Sequence, residues 1–206
     1  NKPVDVLIGQ DMSAADFNDD ALARCLDDLY EAGVTEVFYQ VAGRALQVYG
    51  ITSKFVHLDS SSFHLHGAYD RQEAEREAIR ITYGYSKDHR PDLKQVVVQL
   101  ITSHKSALPV WFEALSGNSN DKKTFTESVK AYCKQLSGSE LPYLVIDSAG
   151  FSEATLKTAQ EQEVRWLMRV PETLAQAKRL IEETSAAEMS EIELGYQGKE
   201  VECEYA

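Results

Sequence analysis

The sequence lacks the features of a disulfide-stabilised or membrane-spanning protein. Its 206 residues include three widely spaced cysteines, Cys25, Cys133 and Cys203, which form no CxxC pair. An odd number of dispersed cysteines argues against a disulfide framework or a zinc site and favours a reducing compartment. No apolar run approaches the roughly 18 residues that a membrane span needs, and no signal peptide is visible. We therefore expect a globular protein of the cytoplasm with no membrane partner.

Positive charge and common nucleotide or hydrolase motifs are also scarce. Lys and Arg number 21 against 33 Asp and Glu, so the net charge is −12. This balance opposes nucleic-acid binding, because affinity for DNA rests mainly on basic side chains that meet phosphates. The chain contains no GxGxxG, GxxxxGK(S/T), GxSxG or HExxH pattern. Nucleotide binding and serine hydrolysis therefore have no basis in the sequence.

The sequence does contain a clear change from helical to alternating patterns. Residues 18–50 predict two amphipathic helices, with Asn18 as the N-cap of the first helix and Gly33 as its stop. From Phe55 onward, three strand-like segments are followed by strands that alternate with helices. The predicted strands are "KFVHLDSSSFHLHG", "LKQVVVQLITS", "ALPVWFEALSG", "LPYLVIDSAG" and "VRWLMRVP", and the predicted helices are "DKKTFTESVKAYCKQL", "SEATLKTAQEQ" and "ETLAQAKRLIEET". This order predicts an α/β fold, a mixed five-stranded sheet flanked by helices and preceded by a helical segment.

Two aspartates occupy positions where strands rarely carry a charge. Asp59 lies inside the strand "VHLDSSS", and Asp147 closes the strand "YLVID" before a turn of small residues. A buried charge in a strand must be paired, hydrogen-bonded or bound to a metal. If the strand of Asp59 pairs antiparallel with "LKQVVVQLITS" and parallel with "YLVID", the two carboxylates become neighbours on adjacent strands. Their mutual repulsion then predicts a bound divalent cation.

Other interpretations of these residues stay open at this point. Asp59 is also consistent with a bulge or with a hydrogen bond to a neighbouring hydroxyl, and Asp147 with an N-cap. His57 shares the predicted face of Asp59. His64 and His66 form an HxH pair on the opposite face, which is a zinc motif only if a third ligand is supplied.

Two polar segments are open to a second interpretation in the same way. In "GYSKDHRPDLKQ", Asp88, His89, Arg90 and Asp92 precede a strand. They either line a site, bind phosphate or belong to a polar turn set by Pro91. In "SGNSNDKK", Asn120 or Asp121 is a suitable helix cap, and capping alone explains the segment.

Five blocks of the sequence, taken in order, resemble one known family: "HLDSSSFHLHG", "ITYGYSKDHRPDLKQ", "FEALSGNSNDKKTF", "VIDSAGFS" and "WLMRVPETLAQAK". They are similar to the transposases of bacterial insertion sequences that have a DDE active site on an RNase H-like fold. The resemblance extends from about Ile8 to Lys178. It implies an RNase H-like core in which Asp59 is the first catalytic acid and Asp147 is the second.

The resemblance also implies cofactors and partners. Asp59 and Asp147 would bind two Mg²⁺ or Mn²⁺ ions for metal-dependent DNA cleavage and strand transfer at insertion-sequence ends. The implied partners are transposon-end DNA, target DNA and a second copy of the protein in the synaptic complex. The candidate DNA contacts are His89, Arg90, Lys94, Asn118 and Lys122.

The third acid of the family has no match in this sequence. The family has a Glu on a late helix, within a Tyr, Arg, Glu, Lys signature, and we expect it beyond Ala206, with Glu172 as the only internal substitute. The implied domains are a helical segment over 1–53, an incomplete catalytic core over 54–187 and the start of a β-rich insertion over 188–206, with a hairpin around Gly198. The isolated fragment is then expected to be catalytically inactive. Two alternative functions remain, an RNase H-like nuclease without strand transfer and a truncated transposase that acts only as an interaction module.

Overall fold

The secondary structure follows the predicted order of helices and strands. The structure is a computed structural model that describes residues 3–70, 79–86, 88–136, 141–191 and 197–198. The helices are α1 (Val4–Leu7), α2 (Asp19–Ala32), α3 (Val34–Val48), α4 (Asp121–Gln135), α5 (Glu153–Glu161) and α6 (Ala175–Glu183). The strands are β1 (Phe55–Leu65), β2 (Lys94–Ser103), β3 (Pro109–Ser116), β4 (Tyr143–Ile146), β5 (Trp166–Met168), β6 (Ser190–Glu191) and β7 (Gln197–Gly198). Of the helices in these ranges, none has the length and apolar character to cross a membrane.

Strands β1 to β5 form one mixed sheet in the order β3-β2-β1-β4-β5. Strand β1 pairs antiparallel with β2, and β2 pairs antiparallel with β3. On its other side β1 pairs parallel with β4, and β4 pairs parallel with β5. The predicted mixed five-stranded sheet with flanking helices and a preceding helical segment is confirmed. The pairing assumed for the strand of Asp59 is also the one observed.

One face of the sheet, which we call the closed face, packs against α4 and α5. Its inward side chains alternate along β1 and β2, so that Val56, Leu58 and Ile101 are buried while the residues between them are not fully covered. Phe125 and Val129 of α4 belong to the same apolar cluster, and each is 1% exposed. Burial of this cluster is the main source of stability in the sheet.

The opposite face, which we call the open face, carries His57 and Asp59. Helix α3 packs on this face at β3, where the rings of Phe38 and Phe112 have centroids 5.5 Å apart. Toward the other edge of the sheet, Leu167 of β5 is 59% exposed. The open face is therefore covered near β3 and accessible near β5.

Helix α2 begins and ends at the residues that the sequence indicated, and α3 covers Val34–Val48 within the predicted second helical segment. The side chain of Asn18 accepts a hydrogen bond of 2.9 Å from the first turn of α2, and Gly33 ends that helix with φ of 82°. The apolar residues of α2 are not buried, however, since Leu22, Leu26 and Leu29 are 46, 65 and 37% exposed. Their helical spacing identified the helix correctly but did not predict a place in the core.

Two boundaries differ from the sequence expectation. Helix α6 begins at Ala175 and not at Glu172, because the chain first turns between Pro171 and Leu174, joined by a backbone hydrogen bond of 3.1 Å. Strands β6 and β7 pair antiparallel with Gly198 inside β7, so Gly198 is not the centre of the hairpin turn. The charged residues 71–78, between β1 and β2, lie outside the described residues.

Candidate active site

Asp59 and Asp147 lie at neighbouring positions across β1 and β4. The parallel register pairs Leu58 with Ile146, and the two aspartates are the next residues along their chains. Leu58 and Ile146 are 2 and 3% exposed on the closed face, so strand alternation directs both aspartates to the open face. Both aspartates are exposed. The structure thus brings these two predicted site residues to neighbouring positions on the same face of the sheet.

Each carboxylate uses one oxygen to hold the backbone that follows it. Oδ1 of Asp59 accepts the N–H of Ser60 at 2.8 Å, and Oδ1 of Asp147 accepts the N–H of Ala149 at 2.9 Å. The second bond caps a single 3-10 turn over Ser148–Gly150. The other oxygen of each carboxylate makes no hydrogen bond with any residue that the structure describes. Asp147 therefore does cap the turn, as one of the sequence interpretations proposed. One oxygen of each aspartate is left for a ligand.

The turn after Asp147 requires glycine at position 150. A Cβ on Gly150 would lie 2.4 Å from Cγ2 of Ile146 and 3.5 Å from a ring carbon of Phe125. Gly150 is itself buried, so no space is available for a larger residue. The small residues after the strand let the chain turn back over β4 and keep Asp147 at the strand end.

The two aspartates suit a hard divalent cation. Carboxylate oxygens are the side-chain ligands that Mg²⁺ and Mn²⁺ prefer, and Mg²⁺ commonly keeps several waters beside one or two carboxylates. Within the ranges that the structure describes, no group of three or more His, Cys, Asp or Glu side chains could hold a metal. The described residues therefore fit the two-carboxylate part of such a site, and any other ligands would come from water, substrate or residues outside those ranges.

The histidines of β1 make contacts with other side chains. Nε2 of His57 lies 2.8 Å from Nδ1 of His104, and burial, followed by the nearby His104, lowers the pKa of His57. Nε2 of His64 lies 3.0 Å from the hydroxyl of Ser86, and its Nδ1 lies 3.5 Å from the carboxylate of Asp88. A zinc site on the HxH pair is not formed among the described residues.

Two of the candidate DNA contacts are paired with acidic side chains of the same chain. Arg90 contacts both carboxylate oxygens of Asp92, at 2.8 and 2.7 Å, and these hydrogen bonds lower the pKa of Asp92 to about 2. Nζ of Lys94 lies 2.7 Å from the carboxylate of Asp70, and the Lys94 side chain is only 16% exposed. Much of the positive charge expected to meet phosphate is thus used internally.

The other candidate DNA contacts lie on turns. His89 is exposed in a left-handed backbone conformation with φ of 56°, one residue before Arg90. Asn118 is exposed in the loop between β3 and α4, and Lys122 lies in the first turn of α4. The structure places these three residues in two separate segments of the chain.

Glu172, the internal substitute for a third acid, does not join the aspartates. It lies in the turn that precedes α6, where its carboxylate contacts Arg169 at 2.8 Å. Its side chain is 69% exposed. No metal-binding group of three within the described ranges includes it.

Sequence reasoning missed two buried glutamines of β2. Gln95 and Gln99 are 1 and 0% exposed on the closed face. The amide nitrogen of Gln95 donates to the carbonyl oxygens of Gly117 and Tyr85 at 2.8 and 3.1 Å, and that of Gln99 lies 2.9 Å from the hydroxyl of Thr124. The sequence did contain a sign of this, because the two glutamines of "KQVVVQLITS" occupy the same alternate positions as the apolar residues that point into the core. These glutamines anchor both ends of the loop between β3 and α4.

The segment 79–86 packs closely against that loop. A Cβ on Gly84 would lie 1.8 Å from the carbonyl oxygen of Gly117, and a Cβ on Gly117 would lie 2.0 Å from that of Gln95. Thr82 and Gln95 exchange backbone hydrogen bonds of 3.2 and 2.9 Å, and Gly117 donates to Arg80 at 3.0 Å. The two glycines are therefore needed for the close approach of the two backbones.

The sheet and its two neighbouring carboxylates define an α/β protein with a pair of exposed acidic side chains on one face of its sheet. The chain belongs to the Transposase DDE domain family, which matches residues 52–200, more than half of its length. This match confirms the resemblance drawn from the five sequence blocks. A second family, described as a domain of unknown function (DUF4277), matches residues 1–43. A comparison with curated proteins gave no match.

Solved transposase structures match this chain at low sequence identity and with TM-scores below 0.5. The piggyBac transposase synaptic complex with hairpin DNA matches with TM-score 0.46 and 11% identity, over 66% of this chain and 27% of that chain. The catalytic domain of Mos1 mariner transposase gives TM-score 0.39 and 8% identity, over 68% and 62%. The Drosophila P element transposase strand transfer complex gives TM-score 0.30 and 13% identity, over 95% and 50%. The chain thus spans from about a quarter to three-fifths of the length of these structures.

Proposed function

We propose that this chain is the catalytic domain of a DDE transposase that cleaves DNA at insertion-sequence ends and joins those ends to a target. The observation that carries the proposal is the placement of Asp59 and Asp147 at neighbouring positions of the adjacent strands β1 and β4, on one face of a sheet in a chain of this family. Two carboxylates in this position provide the negative oxygen ligands that metal-dependent phosphodiester chemistry requires. Asp59 and Asp147 are the proposed catalytic residues.

The proposed cofactors are two Mg²⁺ or Mn²⁺ ions held by these aspartates. Bound there, the ions would stabilise the attacking and leaving oxygens of an in-line displacement at phosphorus. Asp59 is proposed to contact both ions and Asp147 to contact one. The backbone N–H groups of Ser60 and Ala149 occupy one oxygen of each aspartate, which orients the other oxygen before any ligand arrives.

The third carboxylate is assigned to sequence outside the described residues. The contact of Glu172 with Arg169 and its exposed position support this choice over the internal substitute. The chain is then divided into a helical segment over 1–53, a catalytic core over 54–187 and a β-rich insertion that begins at 188. The unpaired thiols of Cys25 and Cys133 support the proposed cytoplasmic location.

The proposed partners are transposon-end DNA, target DNA and a second copy of the protein. His89, Asn118 and Lys122 are also proposed phosphate contacts, and His89 and Asn118 are exposed. Arg90 and Lys94 must exchange their Asp partners for phosphate before they can contribute. The net charge of −12 therefore predicts weak DNA binding by this chain alone.

Mn²⁺ titration followed by amide NMR tests the metal site without DNA. Bound Mn²⁺ broadens nearby signals, so the amides of Ser60 and Ala149 should broaden first. Asp59→Asn and Asp147→Asn should each remove this selective broadening. Asp27→Asn, which changes an exposed acid on α2, is the matched control and should leave the broadening intact. Equal broadening in all four proteins would contradict the site.

A DNA assay with the full open reading frame that encodes this chain tests the reaction. Asp59→Asn should reduce metal-dependent cleavage and joining to background, because the amide keeps the volume of the carboxylate and lacks its charge. Near-normal activity of Asp59→Asn would refute the assignment. Metal-dependent nicking without joining in the unmodified protein would identify a nuclease instead.

A further inference from the structure

A row of polar side chains crosses the closed face beside the loop between β3 and α4. The hydroxyl of Ser128 lies 2.9 Å from Oε2 of Glu113 and also contacts Oε1 of Gln99. Nε2 of Gln99 lies 2.9 Å from the hydroxyl of Thr124, which lies 3.0 Å from the carbonyl oxygen of Asn120. We call this row the Glu113–Asn120 chain. It links β3, β2 and α4 to the residue where the loop ends.

The middle of the Glu113–Asn120 chain is shielded from water. Gln99 and Ser128 are fully buried, and Thr124 is 8% exposed. Buried polar groups need hydrogen-bond partners, and a contact without a hydrogen between two acceptors is repulsive. The position of every hydrogen in the row therefore matters to its stability.

The four contacts of the row require four hydrogens, and its inner members supply three. The hydroxyls of Ser128 and Thr124 have one hydrogen each. In the observed orientation, the amide of Gln99 turns its NH₂ group to Thr124 and its oxygen to Ser128, so the one hydrogen of Ser128 is directed to Gln99. The carbonyl of Asn120 only accepts. In this orientation the hydrogen between Ser128 and Glu113 is left for a protonated Glu113 to supply.

The surroundings of Glu113 agree with this count of hydrogens. Burial raises the pKa of Glu113, the contact with the Ser128 hydroxyl lowers it, and the nearby Glu127 of α4 raises it. Strand β2 presents the uncharged amide of Gln99, and α3 packs on the opposite face of β3 at Phe112. The negative charge of Glu127 thus favours the neutral form of Glu113.

We propose that Glu113 is a positioning residue whose protonated form completes the Glu113–Asn120 chain and fixes the 117–120 loop and the first turn of α4. These segments carry Asn118 and Lys122, so the role of the loop toward DNA rests on the proposed function. The hydrogen-bonded chain itself does not depend on DNA. Ionisation of Glu113 leaves one contact without a hydrogen and weakens the anchor at the α4 end of the loop.

The direction of the pH effect follows from the raised pKa. The folded protein holds the proton of Glu113 more tightly than the unfolded protein does. The stability that this contact contributes is therefore complete at low pH and is lost as pH rises through the folded-state pKa. The loop anchor should loosen over the same range.

Two NMR measurements on the 206-residue chain test the proposal. Carbon-detected titration of the side-chain carboxyl groups should give Glu113 a pKa above the ordinary Glu value. Hydrogen exchange should follow the amide of Thr124, which donates to the carbonyl of Asn120 at 3.0 Å. Glu113→Gln is the matched control, because its amide supplies a hydrogen to Ser128 at every pH.

We expect the protection of Thr124 in the unmodified protein to fall about threefold to tenfold relative to Glu113→Gln as pH rises through the pKa of Glu113. Glu127→Gln should keep this fall, since it removes a nearby charge and leaves the row of contacts in place. Identical pH profiles for the unmodified protein and Glu113→Gln would overturn the proposal. A Glu113 pKa at or below the ordinary value would overturn it as well.

These measurements separate this inference from the proposed function. Neither uses DNA or metal, so their failure leaves the assignment of Asp59 and Asp147 untouched, and failure of the Mn²⁺ experiment leaves the Glu113–Asn120 chain intact. A DNA-binding titration of the unmodified protein and Glu113→Gln then tests the role of the loop. The role of the loop would be overturned if the unmodified protein and Glu113→Gln differ in hydrogen exchange but their DNA affinities depend on pH in the same way.

Discussion

The two sides of strand β1 have different environments within a few residues of one another. Val56 and Leu58 are 1 and 2% exposed in the closed-face core, whereas Asp59 between Leu58 and the buried Ser60 is exposed on the open face. The two-residue period of a strand thus lets a carboxylate occupy the middle of a core strand without being buried. Stability and the proposed chemistry can therefore be altered separately along one strand.

Leu58→Ala should have the largest effect on stability. Removal of a buried leucine side chain leaves a cavity and costs about 2–5 kcal/mol of unfolding free energy. Asp59→Ala, one residue away, should change the unfolding free energy by only about 1 kcal/mol, because it removes one hydrogen bond at an exposed position. Urea denaturation of both variants measures the difference. Equal losses of unfolding free energy in the two variants would show that the closed-face and open-face residues of β1 contribute equally to stability.

Gly150→Ala should have the next largest effect and would disturb both sides together. Its Cβ would overlap Ile146, so we expect a loss of about 1–3 kcal/mol and a displaced turn after Asp147. Gly43→Ala in α3 is the control, because a Cβ there meets no atom within 4 Å. That variant should gain up to about 1 kcal/mol from helix propensity. Similar thermal midpoints for the two variants would contradict the structure of the turn.

The two faces should also respond to pH in opposite directions. Burial, and then the neighbouring His104, lowers the pKa of His57 on the open face from the ordinary 6.5. The neutral ring is favoured in the folded state, so its contribution is present above pH 6.5 and is lost as pH falls through the folded-state pKa. The contribution of Glu113 on the closed face is lost as pH rises. Imidazole NMR that gives His57 a pKa of 6.5 or higher would contradict this contrast.

Leu26→Ala should have the smallest effect. Leu26 is 65% exposed on α2, so the same chemical change as in Leu58→Ala removes few buried contacts. We expect a change within about 0.5 kcal/mol. A loss similar to that of Leu58→Ala in urea denaturation would show that α2 is covered in solution by a partner that the structure does not contain.

The sequence was most informative where patterns are local. Apolar spacing identified α2 and α3, and alternation with small-residue turns identified the strands that bring Asp59 and Asp147 together. The ion pair of Lys94 was not predictable in this way, because Lys94 and its partner Asp70 are separated by 24 positions. The hydrogen bond between Ser128 and Gln99 joins residues 29 positions apart and depends on the packing of α4 on the sheet. Long-range polar contacts of this kind have no signature in the periodicity of one segment.

The start of α6 illustrates a different limit. The run from Glu172 has good helix-forming residues, yet a turn closed by the carbonyl of Pro171 delays the helix to Ala175. Competing local hydrogen bonds of similar strength decide such boundaries. The shift moves Glu172 off the helix and into contact with Arg169.

The pairing of Thr82 with Gln95 has a consequence for how the protein meets other chains. The pairing of β3 with β2 ends at Ser116, which is opposite Val96. The neighbouring residue of β2, Gln95, pairs with Thr82 instead. Exposed strand edges recruit strands from other molecules and lead to aggregation. At the other border, β5 has only three residues, with Arg165 immediately before it and Arg169 immediately after. The part of β2 that extends beyond β3 and the short, charged border at β5 therefore resist strand addition by a second copy of the protein.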